Sequence, residues 1–285
     1  MRVVCLLLLL ASVPARANEL EPIAGLDLPT DHGELRLSGF MTPPDAFGAG
    51  SYSASSLTFS AALPLYGSHH WRLLAQVRAG VEYTQGSALP AGETVTEDAL
   101  GLTGVYVSDR RDVYSLYAGA SIAETRDTIA HATLMPSIVG LGSYRDGSIT
   151  WLYGGGLGQA LGRSWLLPIA GLSWRMTSTW TLTMLLPVEA EVRHRFSSSF
   201  DLGLIASVSG DRYHFSDAGN TLTLELAELR SGVQARYRFA EHWTATAEVG
   251  MVAPRRLQLA DTSSTSDGTV YFSAGARYAF DDLAR

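Results

Sequence analysis

Nucleophilic catalysis of hydrolysis needs a nucleophile and a base held together, typically serine and histidine. The sequence brings such groups near each other three times: His194 shortly before Ser197 to Ser199, His214 beside Ser216, and His242 among turn residues. No G-x-S-x-G elbow accompanies them, and serine is common along the whole chain, so no triad is predicted and no catalytic residue is assigned. Their simpler role is that of turn or interfacial histidines. His69 and His70 are adjacent, but no further Cys, His or carboxylate ligand stands at a metal-site spacing from them. The run Gly154-Gly155-Gly156 lacks the Lys-Ser/Thr of a phosphate loop and opens no helix. It suits a crowded or bent sheet better. No metal and no cofactor are expected.

A second set of residues is spaced for other work. Arg72, Arg78, Glu82, Glu189, Glu191, Arg193, Arg195, Glu228, Arg230, Arg236, Arg238 and Arg277 fall on alternate positions of stretches whose other positions are apolar. A charged group away from water needs a partner. These side chains are therefore predicted to line an interior, in one of two ways. They could border a water-filled pore and set its charge preference, or pair across a narrow space and plug it.

The elements that must carry them are strands. From Trp71 the odd positions are Trp71, Leu73, Ala75, Val77, Ala79, Val81 and Tyr83, while Arg72, Gln76, Arg78 and Glu82 alternate with them. This period of two recurs at 188–196, where Val188, Ala190, Val192 and Phe196 share the apolar face, at 227–239 and at 270–280. A soluble sandwich would alternate too, but its strands average about five or six residues, whereas a tilted membrane strand needs roughly nine to eleven. These runs are of the longer kind. The register puts Val233 in lipid, where an arginine would cost roughly 2–4 kcal/mol, and Gln234 inside, where replacement is expected to be mild.

Aromatic residues flank the short turns. Tyr66 and Trp71, Trp174 and Trp180, Phe196 and Phe200, Phe239 and Trp243, and Phe280 are predicted to form a membrane-interface belt, because an amphipathic ring suits the headgroup boundary. The turns at 66–70, 108–112, 145–147, 175–179, 197–199 and 240–242 make one rim; longer loops are expected at 41–50, 84–96, 124–131, 215–220 and 254–267. Short turns on one side and long loops on the other are the pattern of an outer-membrane barrel, and hydrocarbon demands closure because it offers backbone groups no partners. The predicted fold is all-β, a transmembrane antiparallel up-and-down barrel of about 12–14 strands, the higher count requiring a turn near Pro187.

The chain's ends agree with export. Arg2, an apolar run with five consecutive leucines, and Ala15-Arg16-Ala17 read as a secretory leader, residues 1–17. Residues 18–32 would be a periplasmic segment and 33–285 the barrel. Cys5, the one cysteine, lies inside the leader, so no disulfide is expected in the mature chain. Without Arg2 and Arg16 the 21 basic residues, all arginine, fall to 19 against 28 acidic ones, a formal charge of −9. That balance argues against nucleic acid as a partner.

The stretch from Leu166 to Phe215, with the hairpin from Ser231 to Gly250 after it, resembles an uncharacterised family of bacterial outer-membrane β-barrels, a domain-of-unknown-function family. The features in common are the Leu167-Pro168 strand start, the Trp174-Arg175 to Trp180 hairpin, the Leu186-Pro187 break and the basic-aromatic hairpins at Phe196 and Phe239. The resemblance covers chiefly the second half and implies a fold and a place, with no catalytic residue and no substrate. Barrels of this kind commonly end on an aromatic residue; here Asp281 to Arg285 follow Phe280.

The expected function is passage of small solutes through a porin-like channel in the bacterial outer membrane, reached by signal-peptide export. Outer-membrane lipids, lipopolysaccharide and the barrel-assembly machinery are the expected partners. A closed structural or surface-interaction barrel with an ion-paired lumen is the alternative, and a lipid or lipopolysaccharide hydrolase the lesser one.

Overall fold

The computed structural model describes residues 33–47, 50–85, 93–110, 112–125, 133–160, 163–217, 220–253, 256–259, 262–265 and 267–280. The leader, the 18–32 segment and the tail at 281–285 lie outside them.

Strands follow one another as hairpins. They are β1 (Glu34–Phe47), β2 (Gly50–Gly67), β3 (Trp71–Gln85), β4 (Glu93–Val107), β5 (Val113–Thr125), β6 (Thr133–Asp146), β7 (Ile149–Ala160) and β8 (Arg163–Arg175). Then come β9 (Trp180–Leu186), β10 (Glu189–Arg195), β11 (Phe200–Asp217), β12 (Asn220–Arg238), β13 (Trp243–Val252), β14 (Arg256–Leu259), β15 (Thr262–Thr265) and β16 (Thr269–Ala279). Each strand from β1 to β12 pairs with the next, β13 pairs with β16, and β16 returns to β1, all antiparallel. The result is a closed barrel of 14 strands. The Phe280 N–H donates to the Gly33 carbonyl at 2.8 Å and fastens the closing edge. The short β14–β15 hairpin lies outside the ring: β12 pairs with β13 over Arg230–Arg238 and with β14 over Leu224–Ala227.

Alternation fixes the two faces. Trp71, Leu73, Val77, Val81 and Tyr83 of β3 are all exposed on the outer surface, as are Leu229, Val233 and Tyr237 of β12. Leu166 is 74% exposed outside, whereas Val105, facing in, is 0% exposed. An outer surface this apolar is stable only against hydrocarbon.

The short rim follows the sequence reading. On it the two-residue hairpin at Gly147–Ser148 is the tightest turn, and Gly147 holds φ at 58°, a conformation that favours glycine. The turn at Pro187 divides β9 from β10 and gives the higher strand count. Two readings need correction. Residues 41–50 and 215–220 are not long loops: β1 runs to Phe47 and pairs Phe47 with Gly50, and β11 pairs Asp217 with Asn220. Pro43 and Pro44 fall at a shift of register between Thr42 and Asp45, which accommodates them without ending the strand. The 254–267 segment holds the β14–β15 hairpin. Val188 also departs from its expected outward position; it sits in the turn and is 6% exposed.

Candidate functional site

The interior face is the only place where the barrel gathers ionisable groups away from bulk water among the described residues, so it is the candidate site. It is built by strand register. In β10, Ala190, Val192 and His194 stand opposite Met184, Leu182 and Trp180 on the outer face, leaving Glu189, Glu191, Arg193 and Arg195 inside. Across the next two strands Arg193 stands level with Gly203 and then Gln234, and Arg195 with Asp201 and then Arg236. Gly203 leaves room there: a Cβ on it would come within 2.8 Å of Glu191 Oε1.

One connected network results. The Arg193 guanidinium donates to Asp201, to Glu191 and, at 2.8 Å, to Gln234 Oε1. Arg236 donates from Nε to the same Gln234 oxygen at 2.9 Å and reaches Glu191 at 3.4 Å. Gln234 Nε2 donates to Glu248 Oε2 at 2.7 Å, and the Tyr271 hydroxyl donates to the other Glu248 oxygen. The Tyr271 ring lies 5.6 Å from that of Phe40, over which Arg230 stacks at 4.0 Å while its Nε donates to Glu228 at 2.8 Å. Glu191, Arg193, Glu228 and Gln234 are each at least nine-tenths buried. Charges paired in this way escape most of the desolvation penalty that an isolated one would meet.

The remaining charged residues of the sequence reading are placed along the same half of the wall. Glu34 meets Arg36 at 3.5 Å and Arg277 at 3.9 Å, and Arg78 meets Glu97 at 3.7 Å. Glu82 stands level with Ser56 and Val95, and Glu189 is buried beside the β9–β10 turn. Arg72 lies near the short rim opposite Val105, while Arg195 and Arg238 are exposed at the rim. Asp201, Glu248, Tyr271 and Phe40 were not singled out in the sequence, and together with Gln234 they are the residues that join the arginines together. Gln234 in particular is no bystander: it touches two arginines and a glutamate, contacts that argue against a mild effect of its replacement.

The opposite half of the interior has different chemistry. Inward positions on β5–β9 include Tyr117, Gly119, Val139, Leu141, Leu152, Gly154, Gly156, Leu167, Ile169, Gly171 and Leu185. Leu152, Ile169 and Leu185 pack into one buried cluster with Val139 and Leu141 against it. Glycine makes this wall thin: a Cβ on Gly154 would collide with the Gly140 carbonyl, and one on Gly171 with the Met184 carbonyl. Across the interior, β11 comes within 8 Å, Cα to Cα, of β5 and of β7. The lumen is narrow where these strands approach.

At the short rim the outward aromatics touch in series. Trp71, Tyr106 and Tyr114 run across three strands with centroid spacings of 4.9 and 6.3 Å. Trp180, His194, Phe196 and Phe200 form a second row, with His194 4.6 Å from Trp180 and 4.4 Å from Phe196. Phe239, Trp243, Tyr278 and Phe280 form a third. Tyr66 and Trp174 are exposed on the same outer surface.

His194 is thus engaged by rings, and Ser197 Oγ accepts the N–H groups of Ser199 and Phe200 at 3.2 and 3.0 Å to shape the turn. His70 Nδ1 lies 2.9 Å from the Val107 carbonyl, and its Nε2 3.6 Å from Asp109. The side chain of His214 lies outside the described ones.

Residues 115–279, more than half of the chain, match a family described as "Domain of unknown function (DUF6268)". The chain belongs to this family. The match runs from β5 to the end of β16 and so contains both the apolar cluster and the Arg193 network. No curated protein matches the chain in sequence. Among solved structures, the chain is similar to the COG4313 outer membrane channel from Pseudomonas putida F1 at 8% identity and a TM-score of 0.53, over 92% of this chain and 100% of that one. It is also similar to the TodX monoaromatic hydrocarbon channel deltaS2 mutant, at 10% identity and a TM-score of 0.46 over 88% and 90% of the two chains. The KdgM porin matches at 11% identity with a TM-score of 0.37, over 87% and 99%. At such identities the first of these establishes likeness of fold alone, a closed antiparallel β-barrel.

Proposed function

We propose that this member of the DUF6268 family is an outer-membrane channel that passes small solutes, and that it is not an enzyme. The observation that carries the reading is the opposition of the two faces: the strands that expose Val233 and Tyr237 outside hold Gln234 and Arg236 inside. A barrel whose inner wall keeps charged and polar groups at membrane depth offers a polar solute a path that lipid does not. Its fold neighbour from Pseudomonas putida F1 is described as an outer membrane channel, which supports the same reading. Residues 1–17 would direct export, the assembly machinery would insert the barrel, and lipid and lipopolysaccharide would surround it. Arg193, Arg230, Arg236, Glu191, Glu228 and Glu248 would set ion preference.

A second reading is favoured by a specific observation. The network from Asp201 to Glu228 satisfies its own charges, and β11 stands close to β5 and β7. A barrel closed in this way would be structural or would act at its surface.

Single-channel recording of the refolded protein in a planar bilayer separates the two. A channel gives reproducible steps whose reversal potential in a salt gradient identifies the dominant lumen charge. Silence from a barrel with heat-modifiable gel mobility would reject the channel and leave the closed barrel.

A further inference from the structure

Among the described residues the barrel wall is incomplete between β8 and β11. β9 and β10 have 7 residues each, between neighbours of 13 and 18. At about 3.3 Å per residue and a tilt near 40°, 7 residues rise about 18 Å, short of an apolar band of about 25 Å. β8 pairs with β9 from Arg175 only as far as Ala170, and β11 with β10 from Asp201 only as far as Ser207, beyond which the Val208 N–H reaches the Val188 carbonyl at 2.8 Å. Farther from the short rim, Arg163–Ile169 of β8 pair with β7 alone and the rest of β11 with β12 alone, among the described residues. A notch therefore stands between β8 and β11 above Pro187. Trp174 marks the interface on β8, so the unpaired stretch from Ile169 onward begins within the distance that a strand of roughly nine to eleven residues spans. Pro168, which has no N–H to leave unsatisfied, lies in it.

The chemistry on both sides of the notch is alike. Outside, Leu166, Leu186 and Leu204 are 74%, 55% and 64% exposed. Inside, the foot of the notch is formed by Ile169, Leu185, Leu152 and Val188, all less than a tenth exposed. Nowhere else among the described residues does the inner wall carry such a cluster. It lies where the outer and inner apolar surfaces can meet around a strand end.

We propose that this notch is a lateral portal, through which an alkyl or acyl chain dissolved in the outer leaflet enters the apolar side of the lumen. The proposal rests on the channel reading and names a substrate class for it. A hydrated ion would have to shed water to cross Leu186 and Val188. An alkyl chain leaves one apolar medium for another at little cost. Where β11 nears β5 and β7, the narrow interior suits a slender chain. The charged half of the lumen would then face the polar end of an amphiphile.

The test places a bimane fluorophore on single cysteines in a Cys5→Ser background, in liposomes whose phosphatidylcholine carries a nitroxide on the acyl chain. Ile169→Cys and Leu167→Cys label the inner side of the notch. Ser60→Cys labels the inner side of a wall paired on both edges, opposite Arg36 and Arg78. Leu204→Cys labels the lipid face. The portal predicts quenching at 169 or 167 several-fold above that at Ser60→Cys and approaching that at Leu204→Cys. Quenching at both no greater than at Ser60→Cys overturns it. Only variants with heat-modifiable mobility are read, and Leu167→Cys, at a half-buried position, guards against failure of the more buried Ile169→Cys. Iodide added to the same samples addresses the channel alone: iodide quenching at Ser60→Cys supports a water path whatever the nitroxide result, and none there counts against it while leaving the portal result intact.

Discussion

The two halves of the inner wall present the same apolar residues to lipid and opposite chemistry to the lumen. On β10–β13 and β16, arginines and glutamates are buried by satisfying one another through Gln234 and Tyr271. On β6–β9, leucine and isoleucine are buried by contact and glycine brings the strands close. The difference shows that burial inside a barrel can be reached in two ways with different failure modes. A polar network fails as a unit when one member is lost, because its partners are left charged and dry. An apolar cluster fails locally, by the size of the cavity.

Three substitutions set these halves against each other. The largest effect is expected from Arg193→Ala, about 3–5 kcal/mol, because it takes the arginine from Asp201 and leaves Glu191 to Arg236 at 3.4 Å. The double variant Arg193→Ala with Glu191→Ala should recover part of that loss, and urea unfolding of both in detergent or bilayer measures the coupling. Purely additive losses would mean that the charged half is no network. Leu185→Ala should cost about 2–5 kcal/mol by cavity formation, with ion selectivity unchanged in bilayer recordings; a selectivity shift would mean that the two halves are coupled. The smallest effect belongs to Gln234→Leu, about 1–3 kcal/mol for the unmet donors and acceptors around it. It is best read beside Val233→Arg, at roughly 2–4 kcal/mol if 233 lies near the midplane. Full tolerance of Val233→Arg, judged by heat-modifiable mobility, would refute the register on which the whole inner face depends.

The outer face of this barrel was legible from residues alone. Lipid selects apolar side chains at every second position, and the aromatic pairs at 174 and 180, 196 and 200, and 239 and 243 mark the turns between them. Less of the inner face could be read. Arg193 and Arg236 stand out in their strands, but Asp201 and Glu248 become their companions only when four strands are set in register. The apolar cluster was hidden for a different reason: around Leu166–Leu172 and Leu134–Leu141 both faces are apolar or small, so no period separates inside from outside. Residues 41–50 and 215–220 misled because their prolines, glycines and aspartates look like loops, although β1 pairs with β2 as far as Phe47 and β11 with β12 as far as Asp217.

Sequence by itself determined that this chain alternates, turns and faces hydrocarbon, since those properties follow from local period and from the solvent each side chain can tolerate. Tertiary structure decided which charges meet, which half of the lumen is apolar, and where β9 and β10 stop short. Those depend on the shear between strands far apart in the chain, which only closure of the barrel sets.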